Sequence, residues 1–212
     1  MELTQLYDRL TAVPLFRGLS AEDFTNIADR VSLRWVTVVA GQPVIQSEEP
    51  CHHLVFLCEG TLLRTTHHDN KTYTVTDLVE PAQVIEPERL YGLSTCYRSN
   101  YRAQTTSRLL LIPKEEVHRI LLAIPIWRIN FLNLLATQCN RNHQAMLPRI
   151  YNLREQVLHF GSPKPLSIRI RMSDLGKYIG AARKTVSNLL HQLEDEGLVH
   201  LRPNLIEFTY KE

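Results

Sequence analysis

The chain has no Cys-x-x-Cys pair, no unbroken apolar run and almost no excess of charge, and each absence removes a class of protein. Four cysteines, Cys51, Cys58, Cys96 and Cys139, lie scattered. Neither a zinc knuckle nor a disulfide framework is expected, and the thiols should be buried and reduced. An iron-sulfur sensor would need clustered cysteines. The histidine pairs His52-His53 and His67-His68 are adjacent residues, so on a strand each offers at most one inward ligand, and no metal site is expected. The start, MELTQLYDRL, has no basic region followed by an apolar one. Neither a signal peptide nor a targeting sequence is read there, and the expected location is the cytoplasm. The most apolar segment, Ile120 to Ala136, is broken by Pro125, Arg128 and Asn130, which suits a helix outside lipid better than a membrane span. No nucleophile-base constellation stands out, so an enzyme is not expected.

What is there divides unevenly. The 212 residues carry a formal net charge of +2, and the length suffices for two modest domains but not three. From Arg149 onward ten Lys/Arg face seven Asp/Glu, while the first 148 residues hold fourteen against fifteen. Within the basic end, Lys164, Arg169, Arg171, Lys177, Arg183 and Lys184 share a single acid, Asp174, between positions 164 and 188. Such a patch suits either a solvated face or a polyanion.

Along the chain, Leu6 and Leu10 are spaced for one helix face, and Pro14 and Gly18 punctuate a turn. Ser20 then stands as an N-cap, with Asp23 closing a capping box and Leu19 and Phe24 forming a hydrophobic staple. From Trp35 to Ile112, short runs rich in Val, Thr, Leu and Tyr predict strands over 36–39, 44–46, 54–58, 62–66, 73–78, 102–106 and 109–112. Turns fall at Gly41-Gln42-Pro43, Glu49-Pro50, Glu59-Gly60, Asp69-Asn70-Lys71 and Glu80-Pro81. This spacing means a sandwich or barrel-like all-β domain. The segment from Pro87 to Ser99 has no clean period and reads as a functional loop or short helix. After Pro113 the period becomes helical. Ile129, Leu132, Ala136, Cys139, His143 and Met146 step by three and four, a heptad seam that fits a helix packed on its own domain or, preferably, a dimer seam. Pro148 closes or bends that helix, and a further helix is expected over 150–160.

The most informative stretch is IRIRMSDLGKYIGAARKTVSNLLHQLEDEGLVHLRPNLIEFTY. A strand is expected over 168–172, Ser173 as the cap of a short helix over 174–179, and Gly180 as the turn into a second helix starting near Arg183. On that helix Val186, Leu189, Leu190 and Leu193 form a buried stripe, with Lys184, Ser187, Asn188 and His191 on another face. Gly197 with Leu198 makes a Schellman stop. Residues 198–201 and 205–209, joined by Arg202-Pro203-Asn204, form a two-stranded wing. Reading duplex DNA requires a helix that fits the major groove, with polar side chains near its N-terminus and a second helix and wing that hold the backbone. Arg183 and Lys184 are candidates for guanine edges or phosphate, and Ser187 and Asn188 for base edges. Thr185 and Ser173 are candidates for phosphate oxygens, and Arg169, Arg171 and Arg202 are further DNA-binding candidates. A winged helix used for protein contact is the blander alternative.

On these residues the chain resembles the CRP/FNR family of bacterial regulators over positions 6 to 210. PLFRGLSAEDFTNIA looks like the family's helical entry, the middle like its cyclic-nucleotide-binding-type β-roll, and DLGKYIGAARKTVSNLLHQLEDEGLV like its helix-turn-helix. The resemblance implies an α+β architecture: a jelly-roll-like antiparallel β-roll sensor with N-terminal helices over 1–112, a dimerisation helix region over 113–148, and a winged helix-turn-helix DNA-binding domain over 149–212. It further implies a homodimer reading a two-fold symmetric site, a signal from an unidentified effector in the β-roll, and RNA polymerase as partner for an activator.

Two departures qualify the resemblance. Many members carry Ser-Arg-Glu where this chain has Ala182-Arg183-Lys184, which loses a helix cap worth about 1 kcal/mol. It also replaces an acceptor for cytosine by a cation that seeks guanine or phosphate. Asn188 stands where the best-known members place an arginine. In the sensor, Glu86, Glu88, Gly92, Arg98 and Ser99 are the candidate effector-pocket residues. The Arg98-Ser99 pair is one residue out of register, so a strand would aim Arg98 away from the pocket unless a bulge restores it. Cyclic AMP is therefore disfavoured and no cofactor is expected. Two alternatives remain: an effector-independent regulator, and a cupin-like metal enzyme, which would need an H-x-H on one strand.

Overall fold

Ser20 opens a helix near the start of the described residues. In a computed structural model that describes residue 10 and residues 13–68, 72–146 and 152–210, with the side chains of residues 140–146 aside, α1 spans Ala21–Arg30. Ser20 Oγ accepts from the Asp23 N–H at 3.1 Å and the Asp23 carboxylate accepts from the Ser20 N–H at 2.9 Å, closing the capping box. Leu19 and Phe24 are both buried. Leu6 and the turn Asp69-Asn70-Lys71 lie outside the described residues.

Eight strands follow: β1 (Arg34–Val38), β2 (Pro43–Ile45), β3 (His53–Glu59), β4 (Leu62–His68), β5 (Tyr73–Val79), β6 (Gln83–Ile85), β7 (Ser99–Ala103) and β8 (Ser107–Pro113). Most ends differ from the expected runs by one or two residues, and two differences are larger. The three-residue β6 was not anticipated, because so short a run beside Pro81 gives no period to read. The strand expected over 102–106 ends at Ala103, since Gln104 N–H bonds Thr61 O and Thr105 Oγ1 takes the Thr61 N–H, both at 2.9 Å, turning the chain instead of extending it. Between β6 and β7, Pro87–Arg89 form one turn of 3-10 helix.

Helices α2 (Lys114–Arg119), α3 (Pro125–Met146) and α4 (Leu153–Leu158) come next. The helix expected over 150–160 is shorter, because Asn152 Oδ1 accepts from the Glu155 N–H at 2.9 Å and sets its start. Pro148 and Ile150 lie outside the described residues. The remaining elements are β9 (Pro165–Arg169), α5 (Met172–Ile179), α6 (Arg183–Asp195), β10 (Val199–Arg202) and β11 (Leu205–Phe208).

These elements form two compact units, neither contiguous in sequence: Met1–Leu62 with Val79–His143, and Leu63–Leu78 with Gln144–Glu212. In the first, strands in the order β1-β8-β3-β6 make an open antiparallel sheet and β2 pairs with β7, an arrangement compatible with a β-roll. Its core gathers Phe16, Leu54, Phe56, Leu110, Ile112 and Trp127, all at 1% exposure or less. Trp127 and Phe131 fix one face of α3 to this core, their rings stacked at 5.3 Å. On another face Ile129 and Leu132 are each 54% exposed, and Ala136 and Cys139 are exposed too. The side chains of His143 and Met146 lie outside the described set. The expectation of four buried thiols is corrected: Cys51 is buried, Cys58 and Cys96 are intermediate and Cys139 is exposed. The heptad spacing that made a seam of α3 also turns Cys139 outward.

In the second unit five strands run in the order β10-β11-β9-β5-β4. Val75, Ile168 and Ile206 stand opposite one another on three successive strands and are buried together with Leu175, Val186, Leu190 and Leu193. Among the described residues no single helix is long and apolar enough to cross a membrane.

Candidate nucleic-acid interface

The two helices α5 and α6 are held together by a turn with little room. Gly180 takes φ +68° and donates to Lys177 O, and the Ala181 N–H reaches Gly176 O at 2.9 Å, the pairing of a Schellman stop. Gly176 has a different reason to be glycine. A Cβ there would lie 2.8 Å from the Ala181 carbonyl, a backbone atom that moves only if the turn moves. Gly176→Ala is expected to cost about 1–3 kcal/mol of stability by overpacking, read as a fall in the midpoint of urea unfolding. An unchanged midpoint would mean that the turn is looser than its geometry.

The strand expected over 168–172 is displaced: β9 ends at Arg169, and α5 begins at Met172. Arg171, not Ser173, is the N-cap, because Arg171 O receives the N–H groups of Asp174 and Leu175 at 2.9 and 3.0 Å. Ser173 therefore lies in the first turn. The basic patch is only partly free. Asp174, 5% exposed, accepts from Arg171 Nε at 2.6 Å and from Lys177 Nζ at 3.4 Å. The Arg171 guanidinium, with Lys177 adding to it, holds the Asp174 carboxyl below the usual carboxylate range against the opposing effect of burial. Arg202 on the wing bonds Glu207 at 3.1 Å.

At the start of α6 the pattern differs. Its N-cap is Ala182, with no side-chain hydrogen bond, and its first turn holds no acid. Arg183, Lys184 and Thr185 are exposed there, and among the described residues neither cation pairs with a carboxylate. Uncapped N–H groups, the positive end of the helix dipole and two unpaired cations coincide, an arrangement that favours an anion. Asn188 and His191 continue the exposed face and Ser187 is half-buried. Val186, Leu190 and Leu193 on the opposite face are fully buried, so packing fixes which side chains look outward. Gly197, at φ +74°, donates to Glu194 O and Leu198 to Leu193 O, which ends the helix. Asn204, at φ +58°, makes the wing turn with Pro203. Arg169 is exposed at the end of β9.

The effector candidates come together in part. Glu86, at φ +38° and 7% exposed, accepts from the N–H groups of Arg98 and Ser99 at 2.7 and 3.1 Å and from Tyr101 Oη–H at 3.0 Å. Ser99 is buried, the Arg98 side chain is exposed, Glu88 is intermediate, and Gly92 stands exposed with open space beside its Cα. A cleft of about 310 Å³ in the same unit, lined by Arg30, Glu115, Glu116, Arg119 and Ile120, includes none of the five.

One polar cluster was not anticipated. Asp77, 5% exposed, accepts from Arg64 Nε at 2.8 Å and from Ser162 Oγ at 2.6 Å. The alternation Tyr73, Val75, Asp77, Val79 carried its signal: a carboxylate on the inward face of a strand needs a buried partner.

Comparison with known proteins places these units. A cyclic nucleotide-binding domain model matches residues 35–123 and a Crp-like helix-turn-helix domain model matches residues 147–209. The transcriptional regulatory protein btr of Bordetella pertussis is 20% identical over 197 residues, covering 87% of this chain and 80% of that protein. The catabolite activator protein of Thermus thermophilus superposes with a TM-score of 0.54 at 22% identity, over 92% of this chain and 93% of its own. A crp/fnr-family regulator from Eubacterium rectale gives 0.58 at 18% identity, over 93% and 94%. With both domain models in the family's order and the helix-turn-helix geometry described above, the chain belongs to the CRP/FNR family and is a DNA-binding transcription regulator.

Proposed function

We propose that the protein works as a homodimer joined along α3, which presents two copies of α6 to a two-fold symmetric duplex site. The observation that carries this reading is the apolar stripe of Ile129, Leu132, Ala136 and Cys139, exposed on a helix whose other face is anchored by Trp127 and Phe131. A second copy is the occupant that matches a heptad stripe. In this reading Arg183 and Lys184 contact guanine or phosphate, Ser187 and Asn188 meet base edges, and Thr185, Ser173, Arg169 and Arg202 hold the backbone. Arg171 contributes as a cation already tied to Asp174. The place of action is the cytoplasm, and RNA polymerase is the further partner of an activator.

One observation favours DNA binding without a cyclic nucleotide. The Glu86 carboxylate already takes the N–H groups of Arg98 and Ser99 and the Tyr101 hydroxyl, so a ligand phosphate entering there meets a like charge and finds these three donors engaged. Selection of duplexes from a random pool by the purified protein, with no added ligand, is expected to enrich inverted repeats whose half-sites lie about one helical turn apart. Addition of cyclic AMP should leave the affinity unchanged. Mild oxidation should link two chains through Cys139, since it lies on the proposed seam. Enrichment of single half-sites and failure to cross-link would overturn the dimer. Strict dependence on cyclic AMP would overturn the reading of Glu86.

A further inference from the structure

We propose that Arg64, Asp77 and Ser162 are positioning residues for DNA reading: they dock the β4–β5 hairpin on β9, and the docked hairpin holds α5 and the turn into α6. The matching domain model assigns residues 35–123 to the cyclic nucleotide-binding domain, hairpin included. In the structure, residues 63–78 pack instead within the unit that contains the helix-turn-helix.

Three sets of contacts join the hairpin to that unit. Antiparallel pairing sets Thr74 opposite Arg169, Val75 opposite Ile168 and Thr76 opposite Ser167, with a register shift before Asp77 meets Pro165. Strand β9 is thereby paired on both sides, by β11 and by β5. Second, Val75 is 3% exposed and belongs to the same core as Leu175 of α5 and Val186 of α6. Gly161 leaves it no slack: a Cβ there would lie 2.6 Å from Val75 Cγ2. The ring of Tyr73 also lies 5.0 Å from Phe160 and 5.1 Å from Tyr178 of α5. Third, the bulge that lets Asp77 face Pro165 turns its carboxylate toward both Arg64 and Ser162, tying the two hairpin strands to the segment before β9. Proline has no N–H to offer the ladder, so the side-chain bonds replace the missing backbone bond at this end of the strand pair.

Asp77 is the hub of this arrangement because it is shared. Asparagine in its place keeps the shape but loses the charge that Arg64 needs, and alanine at Ser162 removes the bridge to the segment before β9. None of the three belongs to the surface that meets DNA in the reading above, so an effect on affinity must pass through the hairpin. The inference rests on the helix-turn-helix as the DNA-contacting part and does not depend on how the dimer forms.

The test uses the full chain and a duplex enriched by the wild-type protein. Asp77→Asn with Ser162→Ala is expected to lower affinity roughly ten- to a hundredfold, to speed hydrogen exchange in Pro165–Arg169 and Met172–Ile179, and to leave the oligomeric state unchanged. Ser162→Ala alone, which removes one hydrogen bond, should show a smaller loss in the same direction. Cysteines at the paired positions, Thr76→Cys with Ser167→Cys, should restore binding to the double variant when oxidised and not when reduced, an effect that general loss of stability does not produce. Affinity within twofold of wild type while exchange in β9 accelerates would overturn the proposal, as would loss of binding in the oxidised cross-linked protein. A change in oligomeric state without change in exchange at β9 would trace the defect to the dimer and likewise overturn it.

Discussion

Replacing Arg183 and Lys184 together by alanine is expected to weaken binding to a selected duplex by roughly a hundredfold or more, at about 1–3 kcal/mol for each good base contact. Both side chains are exposed at the first turn of α6 and make no ion pair among the described residues. Their loss should therefore leave thermal stability nearly unchanged, within about 0.5 kcal/mol. Part of the loss is electrostatic and has a signature of its own. If each cation neutralises one phosphate, the slope of log K against log salt should flatten by about two for each subunit that carries the change. Anisotropy titrations at two salt concentrations separate the possibilities. An unchanged slope with reduced affinity assigns the cations to base edges, whereas unchanged affinity rules out α6 as the reading helix.

Glutamate at both Ile129 and Leu132 is expected to convert a dimer into monomers. Each side chain is half-exposed on α3 and stands outside the core held by Trp127 and Phe131, so the monomer should remain folded. In a seam formed by two copies of one helix, every substitution occurs twice, and facing carboxylates repel where apolar side chains met. The effect on DNA should be large, because two linked half-site contacts exceed a single contact by about 10²–10⁴ in avidity. Sedimentation velocity reads the assembly and anisotropy reads the affinity. Monomers that still bind the full inverted repeat as tightly as wild type would show that the duplex, and not α3, brings the subunits together.

The sequence disclosed most clearly those elements whose signals are local. The Ser20 capping box, the Gly180 and Gly197 stops and the stripe of Val186, Leu190 and Leu193 depend on residues within about two helical turns of one another and are found as expected, while Leu189, expected in the same stripe, is only half-buried. Boundaries slipped where long-range bonds decide them. Strand β7 ends early because Thr61 captures the residues after it, and Arg171 displaces Ser173 as cap because β9 stops at Arg169. The candidate DNA surface was legible because exposure on α6 follows from helical period alone. The tethering of Arg171 and Lys177 by Asp174 was not, since a count of charges gives no geometry. Nor did any short-range pattern announce that residues 63–78 join the core of residues 144–212, although Asp77 on an inward face marked the place.

That shared core has a consequence for how the chain must be made. Asp77 and Ser162 are 85 residues apart along the sequence, so the hairpin leaves the ribosome well before the strand it will join. Folding of the second unit therefore waits on loop closure across most of the first, a non-local contact that slows folding. A fragment begun after the hairpin would carry β9 with one side of its ladder bare and Ile168 uncovered, an open edge of the kind that recruits strands from other molecules. Such a fragment should be prone to aggregate, and the remedy is to supply residues 63–78 along with it.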